Sequence, residues 1–167
     1  MRPMSDLILV FRRLVAVLLL AAWWGGFTFY ALAVIPSGNQ ILHSNVRQGF
    51  ITQRVTVKLN RLGLATIAVA LIEVLAARAR QGAFRFLLAA WLICLATQVS
   101  LFYLHVKMDA LLDPARMVIL EQDRFDFLHQ CYLWPATIGW MASGAMLGFL
   151  AWPLNRAGVA SQPKSCS

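Results

Sequence analysis

Four long apolar stretches occupy most of this 167-residue chain and decide what it can fold into. They run over Leu14–Ile35, Val57–Ala77, Phe86–Val106 and Phe127–Trp152. Each covers the ~20 helical residues needed to cross a ~30 Å hydrocarbon core. Hydrophobic residues make up 60% of the chain and mean hydropathy is +0.66, which leaves too little polar length for a separate soluble domain. Backbone groups in lipid must be bonded within their own segment, so each stretch reads as a helix. A β-barrel would need alternating segments of ~10 residues instead. The expected fold is all-α: an integral membrane four-helix bundle over residues 1–153, followed by a disordered polar tail at 154–167.

The net charge of +8 raises the question of nucleic acid. The basic residues, however, flank the apolar stretches, where they meet lipid head groups and set orientation. The expected partner is therefore the bilayer and not nucleic acid, with a homo-oligomer or a second membrane protein left open. Arg12 and Arg13 before an apolar run, with Ala31-Leu32-Ala33 after it, imitate a signal peptide. The bulky WWGGFTFY between them and the length of the run argue for a retained span. Cys94, Cys131 and Cys166 form no CxxC pair and no disulfide framework. Four spans put both termini on one side. That side carries eight Lys/Arg and the other seven, of fifteen in the chain. The turn holding Arg78, Arg80 and Arg85 has no acid and is given the most weight. It places both termini in the cytoplasm, with the chain in a bacterial inner membrane.

Both connections on the far side are long. Pro36-Ser37-Gly38-Asn39 is expected to end the first helix. In the segment QGFITQRVTVKLN, which leads into the second helix, Arg54 and Lys58 share a face with Arg61, either as snorkelling side chains or as an anion site. In LLDPARMVILEQDRFDF, Asp113 suits an N-cap and Pro114 a first helical position. A short interfacial helix is expected there, from Pro114 to about Gln122.

Polar side chains at membrane depth are costly, so they are the first functional candidates. Gln98, His105 and Asp109 share a stripe on the third helix. Asp126, His129 and Tyr132 face together on the fourth. Tyr30 lies at the far end of the first helix, and Asn60 lies near the start of the second. If the helices alternate in direction, these eight residues converge on a polar cluster at the non-cytoplasmic end. Pro135 cannot donate to the Cys131 carbonyl and is expected to kink the fourth helix near His129. His105 and His129 admit three readings. They can be hydrogen-bonding bundle residues; with Met108 and Cys131 they can hold a soft metal such as copper(I); or they can bind haem between helices. Glu73, about 20 Å of helix rise from Asn60, is expected to pair with an arginine of the 78–85 turn. Ala22, Gly25 and Gly26 give the first helix a small face for close packing. No nucleophile–base pair, P-loop or HExxH motif is present.

The segments WWGGFTFYALAVIPSG, QGFITQRVTVKLN, FYLHVKMDALLD and FDFLHQCYLWPATIGW resemble the bacterial branch of the transmembrane protein 205-like family. The resemblance covers about Leu14–Trp152. It implies a four-helix integral membrane protein of unknown function and brings no catalytic residues with it. A weaker similarity reaches the four-helix haem-dependent protoporphyrinogen oxidases and the copper-resistance D-type proteins. This chain lacks the histidine that those oxidases carry early in their first span. The resulting expectation is a non-enzymatic membrane protein with a polar pocket at its non-cytoplasmic face. The alternatives are a haem- or copper-binding redox protein using His105 and His129, and a structural subunit of a membrane complex.

Overall fold

The computed structural model describes the backbone of residues 3–159 and the side chains of 7–44 and 46–152. Helix α1 spans Pro3–Phe29, α2 Ile35–Leu42, α3 Asn45–Ala76, α4 Gln81–Asp109 and α5 Gln122–Val159. By length and composition, four rods among the described residues are able to cross a membrane: Leu7–Leu42, Val46–Ala76, Gln81–Asp109 and Gln122–Trp152. The all-α four-helix architecture is thus the one expected, and the chain is a multi-pass membrane protein by that criterion. Helix α1 packs on α3 and α5, and α4 packs on the same two, which closes a four-membered ring. Helix α3 has 32 residues and rises about 48 Å, well beyond the hydrocarbon thickness. Its ends therefore stand in the interfacial layers.

The expected break at Pro36 does not occur. A π-helical turn over Tyr30–Val34 joins α1 to α2, and the Ile35 amide donates to the Tyr30 carbonyl. Pro36 then falls in the first turn of α2, where its missing N–H is not needed. The wider turn absorbs the proline, and the rod continues to Leu42. It stops at His43, whose φ of 46° is left-handed. The Ser44 hydroxyl then caps α3 by accepting from the Arg47 amide at 3.4 Å.

The expected interfacial helix at Pro114–Gln122 is also absent. Leu112–Asp113 (β1) pairs antiparallel with Val118–Ile119 (β2) in a small hairpin. Asp113 does cap, accepting from the amides of Ala115 at 2.9 Å and Arg116 at 3.1 Å. Those bonds close a turn rather than start a helix. Met117 takes a left-handed φ of 55°, and the β-branched pair Val118–Ile119 follows in extended form. Helix α5 continues through Pro135 and past Pro153 to Val159. The rest of the expected tail, with Cys166, lies outside the described residues.

Two apolar clusters fill the ring. One joins Leu20, Val74, Leu87, Met146 and Leu150 near the α3–α4 turn. The other joins Trp23, Ile67 and Cys94 further along. Helix α1 is also tied to α5 by the stacked indoles of Trp24 and Trp140, 5.3 Å apart, and by the Trp140 indole N–H donating to Thr28 at 2.9 Å. Of the small face on α1, Gly26 sits against Leu59, while Gly25 has open space around it.

Candidate functional site

A buried polar layer crosses three helices at the inner edge of the site. Gln98 of α4 donates to the Asn60 carbonyl of α3 at 3.1 Å. The Asn60 amide donates in turn to the Tyr132 hydroxyl of α5 at 3.2 Å. Asn60 and Gln98 are each 1% exposed. The chain of bonds uses only the donor half of each carboxamide, and the Asn60 Oδ1 and Gln98 Oε1 atoms have no partner.

Above this layer lies a cavity of about 620 Å³. Helix α3 supplies Gln48, Thr52, Gln53 and Thr56, and α4 supplies His105, Met108 and Asp109. Helix α5 supplies Gln122, Asp126, His129 and Tyr132. Leu112 and Ile119 of the hairpin lie on its rim, so the connection misread as a helix forms part of the wall. Asp109 is held on two sides. Its Oδ1 accepts from Gln53 at 2.8 Å, and its Oδ2 lies 3.3 Å from His105 Nε2. The histidine contact lacks the alignment of a hydrogen bond, so it acts as a charge pair only when the imidazole is protonated. Asp126 accepts from Gln122 at 2.9 Å. The His129 ring lies parallel to Phe125, with centroids 6.3 Å apart.

Of the eight residues expected to converge, five line the cavity and three lie next to it. His105, Asp109, Asp126, His129 and Tyr132 line the cavity, and Asn60 and Gln98 bond beneath it. Tyr30 is 5% exposed at the start of the π-helical turn, beside Thr52 and Tyr132. Sequence reasoning missed Gln48, which is 4% exposed with neither polar atom of its carboxamide partnered. A signal for it existed. Gln48, Thr52, Thr56 and Asn60 recur at every fourth position, one polar stripe along α3. Gly38 of α2 makes room for the Gln48 carboxamide, because a Cβ at that position would collide with it.

The metal reading needs one correction. His105, Met108 and His129 share the cavity, but Cys131 is not in its wall. Two residues along a helix turn a side chain about 200° away, so Cys131 cannot face where His129 and Tyr132 face. Among the described residues no three His, Cys, Asp or Glu side chains gather as a metal site. The remaining imidazole–thioether set suits a soft cation. A haem iron at His105 Nε2 would have to displace the contact with Asp109.

At the opposite end Glu73, 5% exposed, does not pair with the 78–85 turn. Arg12 of α1 reaches it instead, with Nε donating to Oε1 at 2.6 Å and Nη2 to Oε2 at 3.4 Å. The partner comes from a neighbouring helix that sequence spacing does not register. Arg54, Lys58 and Arg61 are all exposed on the outer side of α3, away from the cavity. No family model, no curated protein and no solved structure matches this chain.

Proposed function

We propose that this chain is a non-catalytic membrane protein that binds a small polar molecule in the cavity at its non-cytoplasmic end. The observation that carries this reading is Gln48: a residue 4% exposed, among those lining a roughly 620 Å³ cavity, with neither polar atom of its buried carboxamide partnered. Leaving a buried polar group unpaired costs about 1–3 kcal/mol. The Asn60 Oδ1 and Gln98 Oε1 atoms beneath the cavity add two more unpaired groups at the same end. A carboxamide offers a donor and an acceptor side by side. Its complement is a molecule that presents the reverse pair, such as an amide, a carboxylic acid or a vicinal hydroxyl. Asp109 and Asp126 add negative charge to the wall, which favours a ligand bearing donors. The resemblance to the transmembrane protein 205-like family, with its four-helix membrane proteins, is compatible with this reading. The arginine-rich turn favours cytoplasmic termini in a bacterial inner membrane, which a cytoplasm-only reporter fused after Lys164 tests.

Native mass spectrometry of the protein purified in mild detergent tests the binding reading. A panel of amino acids and short amides is added to the wild type and to Gln48→Ala. The reading requires a bound adduct on the wild type that weakens in the variant. It fails if neither protein takes up any member, or if both do so equally.

A second reading rests on His105, Met108 and His129 lining one cavity. It makes the occupant a soft cation such as copper(I), held by two imidazoles and a thioether. Metal analysis and an absorption spectrum separate the two. Stoichiometric copper, or a haem band, that disappears in His129→Ala would favour the second.

A further inference from the structure

A second cavity, of about 370 Å³, opens at the other end of the bundle, where Arg12, Arg13, Glu73 and Arg80 converge on its wall. Three guanidinium groups face one carboxylate there. Arg12 is committed to Glu73 through two contacts. Arg13 donates only its Nε, to the Leu150 carbonyl at 2.9 Å, so its two terminal nitrogens have no partner among the described residues. It lies within electrostatic reach of Glu73 and, more weakly, of Arg80 and Arg12. Arg80 is exposed, and its side chain makes no hydrogen bond or ion pair among the described residues. It also stands at the N-terminal end of α4, whose first turn carries no acidic residue to offset the helix dipole. Three guanidinium groups against one carboxylate leave two positive charges in excess, beside the positive end of α4. The rest of the wall is apolar. Leu9, Val10 and Phe149 are 49%, 53% and 38% exposed on the outer surface, where acyl chains run beside the bundle.

We propose that this cavity binds the head group of an anionic phospholipid, with its phosphate between Arg13 and Arg80 and its chains along Leu9, Val10 and Phe149. Guanidinium groups bind phosphate oxygens in paired geometry, and anionic lipid is the counter-charge available at a membrane surface. The apolar exit distinguishes a lipid from a free anion, because inorganic phosphate has nothing to place against those three side chains. The site is far from the polar cavity and holds whether or not the function proposed above is correct.

The test uses the full chain in zwitterionic detergent. Binding is followed by native mass spectrometry and by thermal stability. The probes are dioleoylphosphatidylglycerol, dioleoylphosphatidylcholine and inorganic phosphate. Arg80→Gln removes an exposed charge that makes no hydrogen bond or ion pair among the described residues, so the fold should stay intact. Arg85→Gln removes an equal charge from an exposed residue of α4 that is not in the cavity wall. The anionic lipid should bind in preference to the zwitterionic one. Its affinity should fall about fivefold in Arg80→Gln and stay unchanged in Arg85→Gln, with phosphate failing to displace it. Equal losses in the two variants would mean only diffuse surface attraction and would overturn the site. Equal binding of the two lipids would overturn it as well. Protection by phosphate alone, as strong as by the lipid, would make it a free-anion site and overturn the lipid assignment.

Discussion

At the end of the bundle where Arg12 meets Glu73, buried charge is internally compensated. The carboxylate has two guanidinium contacts, and no described buried side-chain polar atom at that end lacks a partner. Around Gln48, Asn60 and Gln98 the reverse holds: polar atoms are buried and unpaired, and they lie in or beneath the wall of a cavity. Both ends place costly groups near lipid. Only the second leaves fully buried hydrogen-bonding capacity unused. In a membrane bundle, charge at depth by itself therefore says little about function. Unpaired polarity around a cavity says more, since a structural role alone would have closed those bonds.

Mutations should separate the two ends. The largest effect is expected at Glu73→Ala, which strands Arg12 beside an apolar cluster and removes the bridge from α1 to α3. It should destabilise the bundle by about 3 kcal/mol, the low end for breaking a buried pair, because the Arg12 side chain is 30% exposed. Unfolding by denaturant titration in mixed micelles measures this. A loss below about 1 kcal/mol would place the pair with exposed bridges and weaken the contrast.

Gly63→Ala comes next. A Cβ at Gly63 would lie 2.7 Å from Trp23 and 2.8 Å from Gln98, where α1, α3 and α4 meet. Overpacking there should cost about 2 kcal/mol, and it should disturb the Gln98–Asn60 bond beneath the cavity. Gly38→Ala should behave differently although its Cβ also collides. The obstacle is the end of the flexible Gln48 side chain, which can swing away. Stability should fall by less than about 1 kcal/mol, while ligand uptake in the native mass spectrum should fall as it does in Gln48→Ala.

The smallest stability change is expected at Gln48→Ala. The carboxamide makes no internal hydrogen bond, so its removal should leave the ligand-free protein unchanged or stabilise it by up to about 1 kcal/mol. A loss of 2 kcal/mol or more in the same titration would mean that Gln48 is a structural residue. The difference between the two ends would then disappear.

The spans and the polar convergence were legible because both depend on helical spacing and depth, which are local quantities. His105 and Asp109 sit one turn apart, as do His129 and Tyr132, so each pair could be assigned to a face before any packing was known. Gln48 escapes a reading by depth because it precedes the apolar stretch Val57–Ala77 by more than two helical turns, where a polar residue carries no evident cost. The two prolines misled for a common reason. Pro36 and Pro114 each carry a signal that fits both a helix start and a turn. At Pro36 the π-helical turn resolved it toward a helix; at Pro114 the extended Val118–Ile119 resolved it toward a hairpin. The Arg12–Glu73 pair depends on α1 packing against α3, which no local pattern encodes.

If the cavity around Gln48 is open to small polar molecules from the aqueous phase, a single cysteine at that position will report it. Cys94, Cys131 and Cys166 are first replaced by alanine. Gln48→Cys and Val74→Cys are then introduced separately and exposed in intact membranes to a small, charged, membrane-impermeant thiol reagent. Val74 is 0% exposed in the apolar cluster and supplies the inaccessible reference. The cysteine at 48 should react and the one at 74 should not, even though both positions are buried. If the cysteine at 48 is as inert as the one at 74, from both faces of the membrane, the cavity is closed and the binding function is contradicted.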